Sequence, residues 1–357
     1  MPSYVVNTPQ RKYEAIVQRG ILARAGEYIP ASHGKVFVVT TRDVWDYHCS
    51  RLAPALARRS HEIVFFPGGE ENKRLAAVEA LAEEMVRRGA DRSSLVIAFG
   101  GGVVGDVAGF TAAVFMRGIP VLQIPTTLLA QVDASIGGKT GVDLVAGKNL
   151  VGAFHQPVAV LIDPEVLGTL AEREYRAGLF EVVKCGVIRS PELFSLLEER
   201  SADVLARKPE VVDRIIAESV RIKAEVVTAD ERESGVRAIL NFGHTAGHAL
   251  EAETGYSRFL HGEAVAFGMR AAVYLAERTG RLSAEDSVSI LNTVKLYGPI
   301  PPLEGVSAEA LVRRALMDKK TVQGRVRWVL PERIGEVAIV SDIDAAIVRS
   351  CIEEAIG

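Results

Sequence analysis

Ser94 to Phe110 reads SLVIAFGGGVVGDVAGF. Its opening, SLVIAF, is a continuous apolar run, the pattern of a strand covered on both faces. Gly100, Gly101 and Gly102 separate that run from the apolar helical stretch VAGFTAAVF. Glycines at a strand-to-helix turn let backbone N–H groups approach a pyrophosphate, and the helix N-terminus favours its charge. The same glycines also suit a plain tight turn, so the reading depends on the surrounding chain.

Four more apolar runs surround this one: Lys35 to Thr40, Glu62 to Phe66, Val121 to Ile124 and Val158 to Ile162. Helical patterns lie between them, as from Lys73 to Arg88, where Leu75, Val78, Leu81 and Met85 recur at helical spacing. Strands alternating with helices predict a parallel, nucleotide-binding sheet. Ahead of it, Tyr4 to Val6 and Tyr13 to Val17 flank Asn7, Thr8 and Pro9 and read as a hairpin. Beyond Pro164 the strand pattern stops. Helices are predicted at Glu172 to Ile188, Pro191 to Glu199, Glu210 to Asp230, Thr245 to Glu253, His261 to Arg278, Ala284 to Leu296 and Ala308 to Asp318, with a short β element near Val326 to Leu330. The expected organisation is an α/β Rossmann-like nucleotide-binding domain over 1–164 and an all-α, helical metal- and substrate-binding domain over 165–357.

Composition narrows the function classes. A net charge of -3 with 48% hydrophobic and 24% charged residues is that of an ordinary globular protein and does not suggest nucleic acid as a partner. Cys49, Cys185 and Cys351 are scattered without a CxxC spacing, which fits a reducing compartment and excludes a closed thiolate zinc site. No run is apolar enough for a membrane span and the N-terminus has no apolar signal core, so a cytoplasmic location is expected.

The strongest chemical signal is NFGHTAGHALEAETGYSRFLHGEAVAFGM, Asn241 to Met269. His244, His248 and His261 lie here, three of the seven histidines in the chain. His244 and His248 are one helical turn apart and share a face that can grip a metal. A lone histidine on an apolar helix is more often a hydrogen-bonded core residue, but the pair with a third histidine beside glycine favours a ligand set. Arg237 and Asn241, also four apart, extend the polar stripe if one helix runs through. In FEVVKCGVI, Glu181 and Lys184 sit in a strongly apolar helix, where an unpartnered charge is expensive; a metal, an anion or a mutual ion pair resolves that cost. From Pro125 to Pro157, the polar residues Thr126, Thr127, Asp133, Lys139, Lys148 and Asn149 punctuate small and apolar ones like anion ligands lining a pocket. GGKT within this stretch is not a phosphate loop, because Asp133 occupies the place of its first glycine.

These residues together resemble the 3-dehydroquinate synthase family over almost the whole chain. The resemblance is carried by PGGEENK, GGGVVGDVAGFTAAVFMRG, PTTLLAQVDASIGGKTGVDLVAGKNLVGAFHQP, EVVKCG, ERESGVRAILNFGHTAGHALE, HGEAVAFGM and DKK. It implies zinc or cobalt held by Glu181, His244 and His261, an open His2Glu site of the catalytic kind. It implies NAD held by Glu70, Lys73, Gly102, Val103, Val104, Gly105, Asp106, Thr126, Thr127, Lys139, Lys148 and Thr169. Thr41 stands where some members carry an acidic residue, which shifts ribose recognition toward Glu70.

The implied substrate is 3-deoxy-D-arabino-heptulosonate 7-phosphate. Its phosphate would meet Lys139, Asn149, Lys320 and, in an expected homodimer, Arg117 of a second copy. Its carboxylate would meet Lys223 and Arg237, while Asp133, Lys184, Asn241 and His248 would reach its hydroxyls. The implied chemistry is transient oxidation by NAD, phosphate elimination, re-reduction, ring opening and aldol closure. Two rivals share much of the pattern. An iron-type alcohol or glycerol dehydrogenase needs a histidine where this chain has Cys185, and a secondary-metabolism sugar phosphate cyclase should alter the set Lys223, Arg237, Asn241 and His248.

Overall fold

Alternate side chains along the central strands enter two different cores. Val36 and Val38 pack with Leu95, Ile97, Leu122, Ile124 and Leu161 on one face, whereas Phe37 and Val39 pack with Val96, Ala98 and Val121 on the other. A strand buried on both faces has no polar positions to alternate, so these segments read as unbroken apolar runs.

The computed structural model describes residues 2–317 and 326–357. The main sheet holds β1 (Ser3–Asn7), β2 (Lys12–Val17), β3 (Val36–Thr40), β4 (His61–Phe65), β5 (Leu95–Gly100), β6 (Val121–Pro125) and, after a ribbon of β7 (Lys139–Leu144) and β8 (Gly147–Phe154), β9 (Ala159–Ile162). Its order is β1-β2-β9-β6-β5-β3-β4. The predicted hairpin is present, with β1 antiparallel to β2, and the other pairings in the sheet are parallel. Helices α1 (Arg42–Leu56), α2 (Leu75–Arg87) and α3 (Gly102–Val114) follow β3, β4 and β5.

The helical part contains α4 (Glu172–Arg189), α5 (Pro191–Glu199), α6 (Ser201–Leu205), α7 (Pro209–Ala229), α8 (His244–Glu253), α9 (His261–Arg278), α10 (Ala284–Tyr297), α11 (Ala308–Met317) and α12 (Ala345–Ile356). Between the last two lies an antiparallel pair, β10 (Trp328–Arg333) with β11 (Glu336–Val340). By contacts, the chain divides into Met1–Ala171 with Ile216–Glu231, and Glu172–Ile215 with Arg232–Gly357. Among the described residues no helix is long and apolar enough to cross a membrane.

Two local features differ from the sequence pattern. The polar stripe through Arg237 and Asn241 is not part of the histidine helix: Val236–Asn241 is a 3-10 segment, and Gly243 at φ 79 breaks the chain before α8 begins at His244. Only a residue without a Cβ takes that conformation cheaply. In 125–157, where no regular element was assigned, the chain forms a π-helical turn at Ala130–Ala134 and the β7–β8 ribbon. Gly141 and Gly152 face each other across that ribbon, and a Cβ on Gly141 would lie 2.6 Å from the Val151 carbonyl oxygen.

A carboxylate and histidine corner and a glycine and lysine cradle

Within the helical unit, close backbone packing brings three elements to one point. Gly262 lies against the Ala177 carbonyl, where no Cβ fits, so the start of α9 touches α4. Gly268 lies against the Gly243 carbonyl in the same way, and a Cβ on Gly247 would sit 2.8 Å from the Ala264 oxygen. These contacts set α8, α9 and α4 together with Glu181, His244 and His261 facing inward, their ligand atoms all within 4.8 Å of one another. Glu181 Oε1 lies 3.8 Å from His244 Nε2 and 3.5 Å from His261 Nε2. Tetrahedral ligands about 2.0–2.1 Å from a zinc ion stand roughly 3.3–3.5 Å from each other, so the corner needs little adjustment to hold one.

The hydrogen bonds select the right tautomers. His244 Nδ1 is 3.1 Å from the Phe242 carbonyl oxygen, which can only accept, so Nδ1 carries the proton and Nε2 presents a lone pair. His261 Nδ1 likewise faces Glu251 Oε2 at 3.3 Å. Burial alone favours a neutral imidazole, but the carboxylates of Glu251 and Glu181 outweigh it and push His261 up to about 10. Glu181 also pairs with Lys184, both only 1% exposed, so the mutual ion pair anticipated from the sequence forms. His248, one turn beyond His244, stacks edge-on to it with centroids 5.4 Å apart.

In the sheet unit, the residues expected to hold the dinucleotide follow the C-terminal ends of parallel strands, the edge at which such sheets bind ligands. Glu70 and Lys73 come after β4, Gly102 to Asp106 after β5, Thr126 and Thr127 after β6, and Thr169 after β9. Gly101 precedes α3 with no side-chain cap on the first turn, and a Cβ there would lie 3.0 Å from Thr127 Cγ2. Lys73 is 4% exposed; its ammonium donates to Asp106 Oδ2 at 2.7 Å and Asn149 Oδ1 at 2.6 Å. Burial disfavours that charge, but Asp106 and then Glu70 outweigh it and raise Lys73 above the ordinary lysine value. Lys148 meets Glu70 at 3.3 Å. Asn149, read as a phosphate ligand, is thus drawn into the Lys73 group, at a left-handed φ of 53. Thr169 hydrogen-bonds His48 at 3.0 Å. Lys139 is exposed at the start of β7.

Asp133 sits in the π-helical turn and accepts from Lys223 at 2.6 Å, a kind of turn that often marks functional sites. Arg117 is exposed at φ 71, beside Met116 at φ 49. Backbone strain of this kind persists where the surroundings impose it, commonly at ligand sites. Arg237 is 2% exposed, and Asn241 Nδ2 donates to Glu233. Lys319 and Lys320 lie outside the described residues. Glu233 was noted beside Arg237 and Asn241 but given no role, and Glu251 was missed. Its signal was available: Glu251 is seven residues after His244 and three after His248, on the same helical face.

A glycine and lysine cluster at the ends of parallel strands and a carboxylate–histidine corner among helices are the features expected of a class of two-part enzymes, with a nucleotide-binding sheet and a helical metal-binding half. Within that class, a family model described as 3-dehydroquinate synthase N-terminal matches residues 63–177, and one described as 3-dehydroquinate synthase C-terminal matches 178–321. The chain belongs to the 3-dehydroquinate synthase family. It is 66% identical to the 3-dehydroquinate synthase of Solibacter usitatus over 100% of both chains, and 50% identical to that of Koribacter versatilis over 98% of this chain and 96% of the relative. Among solved structures, 2-epi-5-epi-valiolone synthase from Streptomyces hygroscopicus, with NAD+ and Zn2+ bound, is similar at TM-score 0.89 and 28% identity, covering 98% of each chain. A 2-deoxy-scyllo-inosose synthase complexed with carbaglucose-6-phosphate, NAD+ and Co2+ gives TM-score 0.89 and 27% identity over 99% of each. A probable glycerol dehydrogenase from Sinorhizobium meliloti, 16% identical with TM-score 0.65, shares the fold.

Proposed function

We propose that the chain converts 3-deoxy-D-arabino-heptulosonate 7-phosphate to 3-dehydroquinate and inorganic phosphate, using NAD and a divalent metal. The observation that carries this reading is the corner of Glu181, His244 and His261, whose spacing, with the His244 tautomer, suits zinc or cobalt. When bound, the metal acidifies a hydroxyl it coordinates, and NAD takes up and later returns one hydride, so the net reaction is a lyase reaction.

The chain's own residues do the rest. Glu181, His244 and His261 hold the metal, and Lys184 balances the charge of Glu181. The glycine turn before α3, with Gly102, Val103, Val104, Gly105 and Asp106, cradles the pyrophosphate, and Glu70, Lys73, Thr126, Thr127, Lys139, Lys148 and Thr169 complete the dinucleotide site. Lys223 and Arg237 receive the carboxylate. Asp133, Lys184, Asn241 and His248 bind hydroxyls, with His248 as proton relay. Lys139, Asn149 and Lys320 bind the phosphate, together with Arg117 of a second copy in a homodimer. Gripping both anionic ends aligns the opened chain for ring closure, a positioning effect. A cytoplasmic location belongs to the same reading.

Lys223 and Arg237, as the carboxylate ligands, favour this substrate over a sugar phosphate that lacks the carboxylate. Incubation with the heptulosonate phosphate, NAD and zinc is expected to release phosphate with no net NADH. Stoichiometric NADH would instead indicate a dehydrogenase. His261→Ala should lose both metal and activity, and a fully active, zinc-loaded variant would remove His261 from the ligand set.

A further inference from the structure

The carboxylate of Glu251 is only 2% exposed, yet it lies on the helical face that carries His244 and His248. Its Oε2 stands 3.3 Å from His261 Nδ1, on the side of the ring opposite Nε2, which faces Glu181 at 3.5 Å. One carboxylate thus holds the back of the imidazole while the other meets its front. Glu251 also lies within 4.8 Å of a ring nitrogen of His248, so the same atoms form a second candidate ligand group, His248, Glu251 and His261. The two groups compete for His261, because a ring has one coordinating nitrogen when the other carries a proton. The backbone favours the first group: His244 is tautomerised by Phe242 toward Glu181. His261 becomes its equivalent only if Nδ1–H donates to Glu251.

We infer that Glu251 is a positioning residue for the metal corner, accepting the Nδ1–H of His261 so that Nε2 faces the ion, rather than a ligand itself. This rests on the metal reading above. His244 is fixed by main chain and cannot lose its partner through a side-chain change, whereas His261 depends on one buried side chain. His261 is the more vulnerable ligand, with a side chain 31% exposed against 10% for His244. Outer partners of this kind typically contribute about 10–100-fold to metal affinity.

The test is zinc affinity of the purified full chain by competition with a chromophoric chelator, with the visible spectrum of the cobalt-loaded protein as a second readout. Wild type must first bind one equivalent of zinc; failure there overturns the metal reading itself. Glu251→Ala is expected to bind zinc about 10–100-fold more weakly, with cobalt bands of unchanged position because the ligand atoms are unchanged. Glu251→Gln keeps an oxygen acceptor of the same reach and should recover most of the affinity, which a loss through misfolding would not predict. Unaltered affinity in a folded Glu251→Ala would overturn the inference. So would abolished binding in both variants, or shifted cobalt bands in Glu251→Gln, since either makes Glu251 a ligand.

Discussion

The histidine corner and the lysine cradle solve the same problem, a buried charge, in opposite ways. In the corner, helices touching through Gly243, Gly247, Gly262 and Gly268 fix the backbone, and two imidazoles are held from behind at Nδ1, His244 by the Phe242 carbonyl and His261 by Glu251. The cradle rests on strand-end turns, and its charges satisfy each other: Lys73 with Asp106 and Asn149, Lys148 with Glu70. An ion entering the corner finds its ligands already oriented. A ligand entering the cradle must exchange partners with residues that are already bonded, which costs affinity but allows release.

The comparison breaks first at the glycine seam. Gly268→Ala forces a Cβ into the Gly243 carbonyl and should destabilise the chain by about 3 kcal/mol, read as a fall in urea midpoint; an unchanged midpoint would show that the corner is less rigid than described. Arg237→Ala, removing a fully buried guanidinium, should raise KM for the heptulosonate phosphate roughly 30-fold through loss of charged hydrogen bonds. NAD affinity should change little, and an unchanged KM would move the carboxylate elsewhere. For the cradle, Lys73→Met should weaken NAD by about tenfold, one charge-assisted contact, with zinc affinity intact; coupled loss of both would dissolve the distinction between the sites. Thr169→Val removes the hydroxyl's hydrogen bonds to His48 and to the Val166 carbonyl and should alter NAD affinity about threefold, measurable by fluorescence titration.

How much of this could be read from the sequence depended on what each feature needs. Strands buried on both faces were visible because their apolar runs have no gaps, and helices such as His261–Arg278 because glycines and alanines recur along a packed face. The corner was legible only in part: three clustered histidines and a carboxylate in an apolar helix stood out, but the pair one turn apart, His244 and His248, is not the pair that meets Glu181, which is His244 with His261. Glu251 was overlooked because an acidic residue at the end of an amphipathic stretch looks solvated until its burial is known. The β7–β8 ribbon and the π-helical turn at Asp133 were invisible, since one inserted residue in a helical turn leaves no periodic trace. The break at Gly243 could have been anticipated from glycine preceding the histidine, but the four-residue spacings of Arg237 with Asn241 and of His244 with His248 imitated one continuous helix.

The seam of Gly243, Gly247 and Gly268 also acts as a gauge. Main chain rests on main chain there, so the gap spanned by His244 and His261 is set by how closely two helices can approach, not by the length of any adjustable side chain. On the proposed metal reading, the separation of the two imidazoles offered to an ion is therefore a backbone property.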